Sequence, residues 1–152
     1  MSAGTDQQHS VAMQISFALY GAAGRIARMH KPFLDPLGLT FPQYLVMLEL
    51  YAGTPRSVGD LGHTLGMDTG TITPLLKRLQ SAGMITRTRD PEDERRVLIE
   101  LTPASSAIRN EVWSVTAKIE SACRMDDAAL AALRDTLQNF AHPANEQEKE
   151  KS

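Results

Sequence analysis

Four cations, Lys77, Arg78, Arg87 and Arg89, lie between Thr69 and Arg89 with no acid among them, although the whole chain carries a net charge of −2. The same stretch opens with Thr69, Gly70, Thr71 and Thr73, three hydroxyls around a residue without a side chain. Cations beside hydroxyls and free helix-start amides are the groups that bind phosphate oxygens, and a small residue lets a backbone approach its ligand closely. Arg95 and Arg96 follow on a second polar segment. Acids gather elsewhere, at Asp126-Asp127 and in the tail from Glu146. A local positive patch on a near-neutral chain is enough to meet a nucleic-acid backbone. A solvated charged face is the plainer reading of such a patch taken alone.

Other chemistries find little support. His9, His30, His63 and His142 are scattered, and there is no glycine-rich phosphate loop, no metal-spaced His/Cys cluster and no nucleophile–base pair. The expectation is therefore no enzyme, no metal and no cofactor. Cys123 is the single cysteine, which excludes an intrachain disulfide and suits a reducing compartment. The first residues lack a basic and an apolar signal region, and no stretch approaches the ~20 apolar residues of a membrane span. A soluble, cytoplasmic protein is expected.

The elements that must position the patch are mostly helical. Val11, Ile15, Ala18, Leu19, Ala22, Ile26 and Met29 recur at helical spacing, predicting a first helix that ends before Pro32. Thr40 caps a second helix, with Pro42 just inside and Gly53 at its end, and Ser57 caps a short third that Gly66 stops. Asp68 or Thr69 caps a fourth, with Ile72, Leu75, Leu76 and Leu79 inward and Gly70, Pro74, Lys77 and Ser81 on the opposite face. Pro74, about one turn in, removes one amide bond. The period then drops to two over 85–89 and 96–101, around a polar segment opened by Asp90-Pro91. That is a hairpin. Thr102-Pro103 begins a fifth helix with Ile108, Val112, Val115 and Ile119 in phase, and Asp126 or Asp127 caps a sixth with Leu130, Leu133, Leu137 and Phe140 in phase.

Helix, glycine-containing turn, helix and hairpin is the order of a winged helix-turn-helix. The fold class is thus mainly α with a small β-hairpin, a winged helix-turn-helix domain with N- and C-terminal dimerisation helices. The boundaries read as a flexible 1–10, a single chain over 11–142 and a flexible tail over 143–152. Within 11–142 the dimerisation helices fall at about 11–31 and 103–142, and the DNA-binding part at about 40–101. The terminal helices offer more apolar stripe than one small winged domain covers, so a homodimer is expected, its two recognition helices one DNA turn, ~34 Å, apart on a pseudo-palindromic double-stranded operator. Arg95 or Arg96 on the hairpin would reach an adjacent minor groove.

The stretches Leu39-Thr40-Phe41-Pro42-Gln43-Tyr44-Leu45, Asp68 to Leu79, Gly83 to Arg87 and Asp93-Glu94-Arg95-Arg96-Val97 resemble the MarR family, and within it the organic hydroperoxide sensor (OhrR) branch. The resemblance spans residues 14 to about 140. It implies a dimeric repressor, a recognition helix starting near Asp68, DNA contacts from Asp68, Thr69, Gly70, Thr71, Thr73, Pro74, Lys77, Arg78, Arg87, Arg95 and Arg96, and a minor-groove arginine at Arg95.

That branch senses peroxide with a first-helix cysteine in a Gln-x-Cys-Phe-x-x-Tyr setting. Gln14-Ile15-Ser16-Phe17-Ala18-Leu19-Tyr20 matches except at Ser16. A thiolate attacks a peroxide; an alcohol does not. Two accounts stay open: a Cys-to-Ser variant that holds the reduced, DNA-binding form, or a natural relative with another signal. The resemblance gives Phe17, Tyr20, His30, Phe41 and Tyr44 as the sensing pocket, with Leu45 lining it, and places His30 and Phe41 where the branch has tyrosines that bond the sulfur. His30 can donate or accept there, or simply sit solvated at a helix end, whereas Phe41 cannot bond. Cys123 falls where two-cysteine members keep a resolving thiol; read alone it is a small buried hydrophobe. The alternative function is a MarR-type repressor released by a small phenolic or other non-oxidising ligand.

Overall fold

The computed structural model describes residues 7–143, in two compact units, Met1–Val115 and Thr116–Ser152. Most of the expected loose ends therefore lie outside the described residues. The first unit runs α1 (Ile15–Leu34), α2 (Phe41–Ala52), β1 (Arg56–Ser57), α3 (Val58–Leu65), α4 (Thr69–Ser81), β2 (Ile85–Arg89), β3 (Val97–Leu101) and α5 (Pro103–Ala107), then enters α6 (Arg109–Ala122). The second holds the end of α6 and α7 (Asp127–Ala141).

Local chemistry sets most of these boundaries. Thr40 and Gln43 form a reciprocal capping box at the start of α2, with Pro42 in the first turn where its missing amide costs nothing. Ser57 caps α3, Asp68 caps α4 and Asp126 caps α7, each accepting an amide three residues on. Gly66 ends α3 at φ +64°, a left-handed conformation that L side chains avoid. Gly62 has a different reason: a Cβ there would stand 2.8 Å from the Met67 carbonyl, so the close turn between α3 and α4 requires a hydrogen.

Three expectations need correction. α1 does not stop before Pro32 but continues to Leu34, because a proline near a helix end forfeits one ladder bond without ending the helix. The fifth helix is two, α5 and α6, separated at Ile108, whose ψ of 5° leaves the helical range. A two-residue strand, β1, also joins the hairpin to make a three-stranded antiparallel sheet of order β1-β3-β2, pairing Ser57 with Leu98 and Ile85 with Leu101.

In the first unit, Val46, Met47, Leu50, Leu61, Ile72, Leu76, Leu79 and Ile99 are almost fully buried. Each such side chain contributes about 1.5–3 kcal/mol relative to exposure. They lock α2, α3, α4 and the sheet into one body, so what α4 and the hairpin display is displayed rigidly. Glu49, on α2, accepts from Arg56 at 2.6 Å, and the same guanidinium donates to Thr64 at 3.1 Å, tying β1 to α2 and α3.

Candidate nucleic-acid interface

α4 divides cleanly. Ile72, Leu75, Leu76 and Leu79 are buried, while Thr69, Gly70, Thr71, Pro74, Lys77, Arg78 and Ser81 are exposed and Thr73 is half-buried. The Asp68 carboxylate accepts the Thr71 amide at 2.9 Å, so the acid at the helix start is engaged by the cap it makes. Pro74 continues the helix but leaves the Gly70 carbonyl without its ladder donor. Lys77 and Arg78 pair with no acid among the described residues.

The hairpin tip is folded by its acids. Asp90 Oδ1 accepts the Glu92 amide at 2.9 Å, and Asp93 Oδ1 accepts the Arg95 amide at 3.1 Å. The Arg89 guanidinium donates to the Glu94 carbonyl at 2.7 Å. Backbone bonds between Asp90 and Arg96, and between Arg96 and Asp93, close the loop at 2.9 Å each. Such short-range polar bonds give a loop with little apolar content one shape. From it the Arg95 side chain stands 91% exposed, bonded among the described residues only to Asp93.

Between α3, α4 and the hairpin opens a cleft of about 440 Å³, whose lining includes Val58, Gly59, Thr73, Arg87, Arg95 and Arg96. Arg87 Nε is buried and has no hydrogen-bond partner among the described residues. The structure thus gathers Thr73, Arg87, Arg95 and Arg96 around one opening. Sequence reasoning missed three acids of this region: Asp93, Asp90 and Asp60. The first two sit in a visible Asp90-x-x-Asp93-x-Arg95-Arg96 pattern; nothing local marks Asp60.

Comparison with known proteins then decides the family. A family model described as "Transcriptional regulator SarA/Rot" matches residues 28–112. The "Organic hydroperoxide resistance transcriptional regulator" of Bacillus subtilis is 36% identical over 124 residues, 82% of this chain and 84% of that one. The chain belongs to the MarR/SarA type of winged-helix transcriptional regulators. As such it is a DNA-binding regulator of transcription, not an enzyme. The "HTH-type transcriptional regulator MgrA" of Staphylococcus aureus is 34% identical over 140 residues, covering 91% of this chain and 95% of its own. Among solved structures, reduced AbfR bound to DNA superposes with a TM-score of 0.74 at 28% identity, covering 91% and 96% of the two chains, and AbfR, a Staphylococcus epidermidis protein, is also solved with a disulfide formed. CouR of Rhodococcus jostii, bound to a 23-mer DNA duplex, gives a TM-score of 0.80 at 25% identity, covering 89% and 97%.

The residues assigned to sensing are only partly together in this regulator. His30, Phe41 and Tyr44 cluster, with ring centroids 4.7 Å (His30–Phe41), 5.3 Å (His30–Tyr44) and 6.3 Å (Phe41–Tyr44) apart. His30 is 6% exposed and its Nδ1 donates to the Ile26 carbonyl at 2.7 Å, which corrects the expectation of a solvated histidine. Packing of α1 on α2 buries it. Ser16, Phe17 and Tyr20 lie earlier on α1 and are exposed, Tyr20 by 80%. The hollow beside Phe41, about 200 Å³, is lined by Ala27, Lys31, Leu34, Asp35, Leu39 and Thr40, and neither Phe17 nor Leu45 lines it. Cys123 is half-buried just past α6, its amide donating to the Ile119 and Glu120 carbonyls. Among the described residues no helix is long and apolar enough to cross a membrane.

Proposed function

We propose that the protein is a homodimeric repressor that binds a pseudo-palindromic operator and whose cysteine form, at position 16, answers organic hydroperoxides. The observation that carries the reading is the Gln14-to-Tyr20 run on α1, with Ser16 exposed one residue before Phe17. Similarity to the Bacillus subtilis hydroperoxide regulator supports it, and so does the fold shared with AbfR. On DNA, Lys77 and Arg78 neutralise phosphates, the Thr69, Gly70, Thr71 and Thr73 edge of α4 approaches bases, Asp68 and Pro74 shape that helix start, Arg87 backs it from the sheet, and Arg95 enters a minor groove.

With serine at position 16 the chain corresponds to the reduced, DNA-bound state. A thiolate there would attack the peroxide O–O bond, becoming a sulfenic acid while an alcohol leaves. The Cys123 thiol of the second copy would then displace water from that sulfenic acid and form an intersubunit disulfide. A dimer held that way changes the spacing of its two recognition helices, which a rigid palindrome does not follow.

A DNA-release assay beside a non-reducing gel tests this. The chain as it stands is expected to stay on DNA when cumene hydroperoxide is added; the Ser16→Cys protein is expected to crosslink and leave, and Ser16→Cys with Cys123→Ser to lose the crosslink. If Ser16→Cys protein neither crosslinks nor leaves, the hydroperoxide reading fails and a repressor released by a small non-oxidising ligand takes its place.

A further inference from the structure

Two neighbouring arginines at the hairpin have different surroundings. Arg95 is bonded to one acid of its own loop and is otherwise open to solvent. Arg96 faces two acids from different elements, Asp60 of α3 at 3.6 Å and Asp90 of the hairpin at 3.9 Å. The backbone of Asp60 is held at the cap of α3, its amide donating to Ser57 Oγ at 3.0 Å, and Ser57 pairs across the sheet with Leu98, two residues beyond Arg96. The path from β3 through Arg96, Asp60 and Ser57 back to β3 is closed.

Charge points the same way. One guanidinium beside two carboxylates leaves that trio at −1, so the net field around Arg96 is less attractive to a phosphate than a lone arginine would be. Asp60 would meanwhile repel DNA if it were left alone beside the cleft. We propose that Arg96 is a positioning residue that ties the hairpin to α3 through Asp60 and Asp90, setting the angle at which Arg95 is presented, and that it is not itself a phosphate contact.

Exposed ion pairs are individually weak. This one acts where a small change of angle moves the tip of a lever. Loosening it costs the fold little but spreads the positions Arg95 occupies before DNA arrives, and discrimination between sequences suffers first.

The inference rests on the DNA-binding reading, and its test separates the two. Asp60→Asn, Arg96→Gln and the double variant are compared with the unaltered chain in two measurements. In hydrogen exchange of the free protein, amides 90–96 are expected to exchange about two- to fivefold faster in each single variant and no faster still in the double, the size of one exposed pair. In titrations over a range of salt, the probes are a duplex selected by the unaltered chain from a random-sequence pool and an unselected duplex of equal length. The ratio of the two affinities is expected to fall several-fold in each single variant, with an unchanged salt slope for Arg96→Gln. Unchanged exchange overturns the tie. A slope reduced by about one for Arg96→Gln makes Arg96 a phosphate contact and overturns it too. A rise in affinity for both duplexes at an unchanged ratio in Asp60→Asn makes Asp60 a simple repulsive charge, and the tie is again overturned. If the unaltered chain selects no duplex, the DNA reading fails and the exchange comparison still decides the tie.

Discussion

Asp93 grips Arg95 at three points, accepting its backbone amide at 3.1 Å, its Nε at 3.2 Å and its Nη2 at 3.5 Å. The carboxylate therefore shapes the turn and aims the side chain with the same two oxygens. Arg95's side-chain bond, followed by its backbone bond, holds the Asp93 carboxyl below its ordinary range.

Arg95→Ala is expected to weaken operator binding by about 1–3 kcal/mol with the fold intact, the loss usual for a groove-inserted arginine. Asp93→Asn should do less, because the charge of Arg95 remains and only its aim is lost. The pairing is present above the ordinary carboxylate range and disappears as pH falls through the lowered value, so the wing's share of affinity should be flat over about pH 6–8. Anisotropy titrations of both variants across that range check it; an Arg95→Ala protein at full affinity would remove the wing from the interface.

Lys77 belongs to the other class of contact. It is exposed on α4 and has no acid partner among the described residues. Lys77→Ala should weaken binding to all duplexes evenly and lower the salt slope by about one, since one fewer counterion is released. A change confined to the preferred sequence would instead make Lys77 a base reader.

These two contrasts show what the sequence carries. A cap and a 3–4 apolar spacing are local signals, so the buried face of α4, its cap at Asp68 and the basic exposed face are all legible in residues 68–81. β1 is not, because two residues have no period and Arg56-Ser57 becomes a strand only by pairing with β3, which follows α4 and β2. His30 escapes a local reading for a related reason: its burial depends on Phe41 and Tyr44 arriving from α2. Asp60 carries no signal at all, since its partner Arg96 is set by the tertiary fold. At Pro32 and Ile108 local rules predict a stop and a helix interior, whereas α1 runs two residues past the proline and the chain leaves the helical range at Ile108.

Tyr51 offers a stability test away from DNA. It is buried, its hydroxyl donates to the Ser105 carbonyl at 2.6 Å, and its ring meets the Arg109 guanidinium at 5.3 Å. Burial pushes its pKa up, with Arg109 opposing. A folded value above the unfolded one means the contribution is fully present below the ordinary tyrosine value and is lost as pH rises through the higher folded value. Tyr51→Phe is expected to cost about 1 kcal/mol near neutrality, the net worth of one hydrogen bond. The gap between the two proteins should shrink above about pH 10, where the hydroxyl of the unfolded chain ionises while the native one still holds its proton. Urea unfolding at neutral and alkaline pH measures both; a gap that widens with pH would contradict the assignment.

The second unit bears on assembly. Along α7, Leu133, Leu137 and Phe140 are 45%, 39% and 64% exposed, and their 4-3 spacing puts them on one stripe. In the first unit, Ile15, Phe17 and Tyr20 of α1 are 67%, 52% and 80% exposed. Large apolar side chains left in water, in phase along α7 and at the start of α1, are what a second copy would cover, and covering each returns about 1.5–3 kcal/mol. Placing two charges on the stripe reverses that gain without touching the core of the first unit. Leu133→Arg with Leu137→Arg is therefore expected to sediment as a monomer at micromolar concentration, where the unaltered chain sediments as a dimer. It should also lose operator binding, because one half-site engages only one recognition helix and one wing. Circular dichroism separates this outcome from unfolding, since the caps and core of α2, α3 and α4 are untouched and the helical signal should persist. A doubly substituted protein that remains dimeric would mean that α7 is not part of the interface, and the dimer would then have to be built on α1.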